Sequence, residues 1–168
     1  TVELTVSDDS AKYAGYETHK MYAGGNYAYC VQPSKKTPQS GTYEKHYDVE
    51  NYVSNAGDET QALQSRNLAY YCWGAPGFNA SNFPATWYDG SAMDDDKYIA
   101  LSHIMLSFLV SYDEVGSMHG CNSSFKNWVY QNVLGYNANG DLVNGQATLP
   151  ILCWATAPAS FKVYILST

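Results

Sequence analysis

Cysteine and histidine are the side chains here that could attack a carbonyl, hold a metal or move a proton near neutral pH. The cysteines are Cys30, Cys72, Cys121 and Cys153. Their spacings match no zinc pattern such as a paired C-x-x-C, so neither a metal nor another cofactor is expected. Cys72 and Cys153 each precede a tryptophan, which predicts buried apolar positions where a thiol acts as a small hydrophobe. Cys121 follows Gly120 at a loop-to-helix boundary, where a bridged and an unbridged state are both open. In an oxidising compartment four cysteines can pair in three ways. Only Cys30 has a context that asks for a role, at the end of a predicted strand and just ahead of a loop between Pro33 and Pro38. A thiol there is expected to be reactive. Among the histidines, His103 lies on a predicted central helix. It could take a proton from an incoming nucleophile or support a carbonyl, or it could be a hydrogen-bonded core residue. His19, His46 and His119 read as surface residues.

The elements that must position these groups follow from periodicity and punctuation. Val2, Leu4 and Val6 alternate with polar residues and predict a strand. Residues 21–23 and 27–29 flank Gly24-Gly25-Asn26 and predict a hairpin, with Cys30 at the end of its second strand. Residues 43–52 are ambiguous. Asp58 is an expected N-cap for a helix to Tyr71, ended by Gly74, Pro76 and Gly77. Residues 78–91 read as loop. Asp94, Asp95 and Asp96 load the start of a buried helix running to about Tyr112. Asn122 or Ser123 caps a third helix that Gly135 closes. Residues 149–154 and 161–166 read as strands separated by Pro158. The order strands, helices, strands predicts an α+β domain: a sheet or sandwich-like lobe over about 1–56 and 147–168, with a helical lobe of about three helices over 57–146. The 168 residues are read as one domain.

Composition narrows the function classes. The chain is 45% apolar, carries a net charge of −7 and has one arginine, Arg66. No basic stripe is present for nucleic acid or an anionic membrane, and no apolar run is long enough to span one. Sixteen tyrosines and four tryptophans suit a surface that meets proteins or sugars, or a wet β-rich fold in which Tyr replaces Phe. With no initiator Met and no signal peptide, the chain reads as a segment of a mature extracellular protein.

Three segments, in order, carry a resemblance. They are Tyr29-Cys30-Val31-Gln32-Pro33-Ser34-Lys35, then Asn67-Leu68-Ala69-Tyr70-Tyr71-Cys72-Trp73-Gly74-Ala75-Pro76-Gly77, then Asp96-Lys97-Tyr98-Ile99-Ala100-Leu101-Ser102-His103-Ile104-Met105-Leu106-Ser107. Together they resemble the thioester domains of Gram-positive surface adhesins and pilus-tip proteins. There an aromatic residue precedes a reactive Cys, a helix ends in a Gly-Pro-Gly-like turn, and a central helix carries Thr-Gln-x-Ala or a Thr-His variant. The resemblance implies an internal Cys–Gln thioester with Cys30 as its thiol. Such a bond needs shielding from water, for which Tyr27, Tyr29 or Tyr98 are candidates, and His103 is a candidate assisting group. It implies single-use covalent capture of an amine, such as a lysine of a host extracellular-matrix or plasma protein, at a bacterial surface. Wall anchoring would come from other parts of the protein. In that family the bonded Gln follows the last strand, but no Gln follows residues 161–166 before the sequence ends. The partner is therefore expected beyond Thr168. Gln146 is an inferior substitute in the preceding loop, and Gln32 is too close to Cys30.

Two other readings stay open. A papain-like cysteine hydrolase would pair Cys30 with His103 or His119, although the expected oxyanion glutamine and Cys-Trp helix start are absent. A non-covalent carbohydrate- or protein-binding module would use the many Tyr and Trp residues instead.

Overall fold

A computed structural model describes residues 1–112 and 114–167, the side chains of residues 114 and 115 excepted. Strand β1 (Val2–Tyr13) turns tightly through Ala14-Gly15 into β2 (Tyr16–Ala23), with Tyr13 opposite Tyr16. The sequence signal for β1 stops near Val6, because the register shifts between Val6 and Ser10 and breaks the alternation there. The predicted hairpin forms between β2 and β3 (Asn26–Ala28). Its turn is Gly24-Gly25, with φ of +55° and +86°, the pair of left-handed residues a two-residue hairpin turn needs. Asn26 belongs to β3, paired with Ala23, and Cys30 lies two residues past the strand.

The ambiguous stretch resolves into β4 (Gly41–His46) followed by a 3-10 turn (Val49–Asn51). Near the end of the chain only β5 (Ile165–Ser167) is strand. The five strands make one antiparallel sheet in the order β3-β2-β1-β4-β5.

The three predicted helices are present. Asp58 caps α1 (Glu59–Tyr71) by accepting from the Gln61 N–H at 2.9 Å. Asp94 does the same for α2 (Asp95–Ser111) through the Lys97 N–H, also at 2.9 Å. A short α3 (Glu114–Ser117) follows. Asn122, and not Ser123, caps α4 (Ser123–Val129), which continues as a π-helical turn to Leu134. Gly135 closes it in the left-handed region at φ +70°. Every residue of α2 from Ile99 to Val110 is buried, so this is the central helix. Lys20 of β2 ties it to the sheet through ion pairs of 2.9 Å to both Asp9 and Asp96.

The strand expected over 149–154 is instead α5 (Thr148–Cys153). Leu149, Leu152 and Cys153 are buried while Ile151 and Trp154 stand 45% and 61% exposed, a helical and not an alternating pattern. Pro150 sits in the first turn, where its missing N–H breaks no bond. The strand expected over 161–166 shrinks to its end. Phe161 turns back to the Pro158 carbonyl, and its own carbonyl accepts from Arg66. The chain is an α+β fold. Among the described residues no helix is long and apolar enough to cross a membrane.

Candidate functional site

The three sequence segments meet around Cys30. Tyr29 donates its hydroxyl proton to the Trp73 carbonyl at 2.7 Å, joining the strand end to the turn after α1. The Tyr27 ring stands edge-on to Trp73 at 5.2 Å. Gly74, at φ +86°, allows this approach, since a Cβ there would lie 2.9 Å from the Tyr27 Cβ. The Trp73 N–H donates to Ser102 Oγ of α2 at 3.1 Å, and Trp73 Nε1 donates to Asp95 at 3.2 Å. One turn further along α2, the Ser107 hydroxyl is shared between the His103 carbonyl at 2.7 Å and the Cys30 carbonyl at 3.3 Å. The loop carrying Cys30 is thus tied to α2 through the Ser107 side chain and to the turn after α1 through the Trp73 carbonyl. Ser102 and Ser107 escaped the sequence reading because small polar residues on a helix give no periodic signal.

No disulfide joins the described cysteines, so the bridged alternatives for this state fall away. Cys72, Cys121 and Cys153 are buried, while Cys30 is half-buried. Burial pushes the Cys72 thiol up to about 12, against a smaller opposing hydrogen bond from Ser102. It pushes Cys153 up to about 11 and also raises Cys121. These three are held as neutral thiols and are poor nucleophiles at neutral pH.

Alternation along the β3 extension separates Cys30 from its neighbours. Ala28 and Cys30 pack on the cluster of Leu4, Met21 and Ala23, which Val6, Tyr43 and Leu166 of β5 also cover. Tyr29 packs instead on the main core, and Tyr98 lies there against Phe78 and Phe83. The aromatic in the Cys30 cluster is therefore Tyr43, a residue outside all three segments. Val31 packs on Val49, Val53 and Val110 together with Val163 and Ile165. Both sides of the Cys30 segment thus share apolar clusters with the last strand.

His103 is 1% exposed and its ring lies 6.2 Å from that of Tyr16. Its main-chain carbonyl shares the Ser107 hydroxyl with the Cys30 carbonyl. Of the other histidines, His19 contacts the Ser7 carbonyl, His46 stacks on Tyr52 at 4.5 Å, and His119 is exposed. Gln32 and Gln146 are exposed, the latter in the turn ahead of α5. No group of His, Cys, Asp and Glu among the described residues could hold a metal ion.

The family described as thioester domain matches residues 2–139. The chain belongs to the thioester domain family. Membership assigns it to the covalent-binding, adhesin-type domains, whose members are typically found at extracellular surfaces. No curated protein and no solved structure matches the chain.

Proposed function

We propose that Cys30 supplies the sulfur of an internal Cys–Gln thioester that captures an amine once per molecule. The observation that carries this is the meeting of three segments at a half-buried Cys30 that packs on the same apolar cluster, Leu4, Met21 and Ala23, as Leu166 of the last strand. A carboxamide carried by the chain on that side would reach the cluster on which Cys30 packs. We assign the carbonyl to a Gln supplied from that side, and give no role to Gln32 or Gln146.

In the first step the Cys30 thiolate attacks the carboxamide carbon. The C–S bond forms, the C–N bond breaks, and ammonia leaves with the thiol proton. Amides acylate poorly, so a fixed loop and strand must hold the two groups at attack distance. Orientation of this kind is worth roughly 7–11 kcal/mol of barrier. In the second step an amine attacks the thioester, an amide forms, and the thiolate leaves and takes a proton. The amide is stable, so the reaction ends there and the domain is not a turnover enzyme. Partial burial against the Leu4, Met21 and Ala23 cluster keeps water from spending the bond. The ligand we favour is a lysine amine on a host extracellular-matrix or plasma protein, met at a bacterial cell surface. The protein's acidic charge favours approach of such a cationic group.

The test is a thiol count on denatured full-length protein, with intact mass. The thioester predicts three reactive thiols and a mass low by about 17 Da for lost ammonia. Methylamine should restore the fourth thiol and leave an adduct, and Cys30→Ala should abolish the adduct. Mass alone does not decide, because succinimide formation at Asn139-Gly140 or Asn144-Gly145 also releases ammonia. Four thiols before methylamine treatment would sink the proposal.

A further inference from the structure

A cavity of about 380 Å³ opens between α1, the end of α2, α5 and the loop at 136–140. None of the residues that fix the Cys30 loop lines it. Its floor is Phe108 and Leu149, both buried, and its wall includes Tyr112, Tyr136, Gln64 and Asn139. The Tyr112 ring meets Phe108 edge-on at 6.1 Å, and Tyr136 meets the same ring at 5.6 Å and 37°. Two tyrosines thus flank one phenylalanine.

Tyr112 is the C-cap of α2 and sits in the left-handed region, at φ +51° and ψ +37°. Glycine is the usual residue there, and a bulky side chain in this conformation carries local strain. This backbone conformation places a 57% exposed aromatic ring in the lining of the cavity. The polar groups around it are unspent. The Gln64 and Asn139 carboxamides and the Tyr112 and Tyr136 hydroxyls make no side-chain hydrogen bond among the described residues. Burial raises the Tyr136 hydroxyl's pKa, which keeps it a neutral donor. No charged side chain lines the cavity among the described residues, in a chain of net charge −7.

We propose that this cavity is a non-covalent binding site for one neutral sugar ring, such as the terminal unit of a glycan. Carboxamides and tyrosine hydroxyls both donate and accept, which matches adjacent sugar hydroxyls. Aromatic walls match the C–H face of the ring. An ion would find no counter-charge, and an apolar ligand would leave four polar groups without partners. The volume lies at the lower end of the range for small-ligand sites, about 300–1,000 Å³. The site does not depend on the thioester reading.

The test titrates isotope-labelled protein with the methyl glycosides of glucose, galactose, mannose and N-acetylglucosamine, followed by amide chemical shifts. At least one glycoside should give saturable shifts at Tyr112, Tyr136 and Gly140. Tyr112→Ala and Gln64→Leu, each with an otherwise native spectrum, should each weaken binding tenfold or more, and Cys30→Ala should leave it unchanged. The proposal is overturned by an absence of shifts with all four glycosides, by shifts that survive both cavity variants, or by a response to glucosamine or glucuronate alone. Loss of amine capture with retained glycoside shifts would count against the thioester and not against this site.

Discussion

At the scale of single residues, burial separates four cysteines that the sequence could separate only by context. Three thiols are kept neutral by desolvation, and the fourth sits half-buried at a strand end. His103 is the residue whose role the fold constrains most. Its imidazole is almost wholly enclosed beside Tyr16, and its main-chain carbonyl shares the Ser107 hydroxyl with the Cys30 carbonyl. We propose that so enclosed an imidazole, cut off from exchange with bulk water, positions the loop through the shared Ser107 bond. His103→Gln should therefore leave the pH profile of methylamine capture unchanged in shape, with the rate within about threefold. Loss of an inflection near the ordinary histidine range, about 6.5, would assign the imidazole a proton-transfer role.

At the scale of elements, the helix caps make the fold sensitive to acid. The Gln61 N–H and then the Asn55 side chain hold the Asp58 carboxyl below the usual carboxylate range. Asp9, held by Lys20, and Asp48 and Asp89, held by Asn51 and Ser91, are lowered in the same way. A carboxyl whose folded pKa is depressed contributes its stability above its unfolded value. It loses that contribution as pH falls through the folded one. The melting temperature should therefore drop as pH falls below about 4, the unperturbed aspartate value. Asp58→Asn keeps a good N-cap without a titrating group, so its melting temperature should fall less steeply over that interval. An identical slope in the variant would show that the cap carboxylate does not contribute to the acid response.

At the scale of the whole molecule, the single arginine couples the helices to the last strand. Arg66 of α1 donates from Nε and Nη2 to the Phe161 carbonyl at 3.2 and 3.0 Å, and also to the Pro158 carbonyl. This latch directs residues 158–161 so that the following segment delivers Val163, Ile165 and Leu166 to the clusters flanking Cys30. Arg66→Ala should cost on the order of 1–3 kcal/mol for hydrogen bonds to a charged donor. It should also raise amide exchange across β5 and slow amine capture. Arg66→Lys should not restore either property, because an ammonium lacks the planar fork that reaches two carbonyls. Unchanged exchange in β5 would remove the latch from the account.

The sequence by itself determined the α+β class, the three main helices with their caps and the β2–β3 hairpin. Each is written in local chemistry: an aspartate or asparagine ahead of an apolar period, and a Gly-Gly pair between short strands. The tertiary structure alone decided the rest. Residues 149–154 are a short continuous apolar run that reads equally as a buried strand or a helix, and packing against α1 goes with the helix. The second half of β1 is hidden by its register shift, and the strand at 161–166 is shortened by a turn and by Arg66. Ser102, Ser107 and Tyr43 became site residues only through contacts with groups more than ten positions away. Local propensity fixes what a segment can be, whereas burial and long-range hydrogen bonds choose which face it turns and which residue it meets.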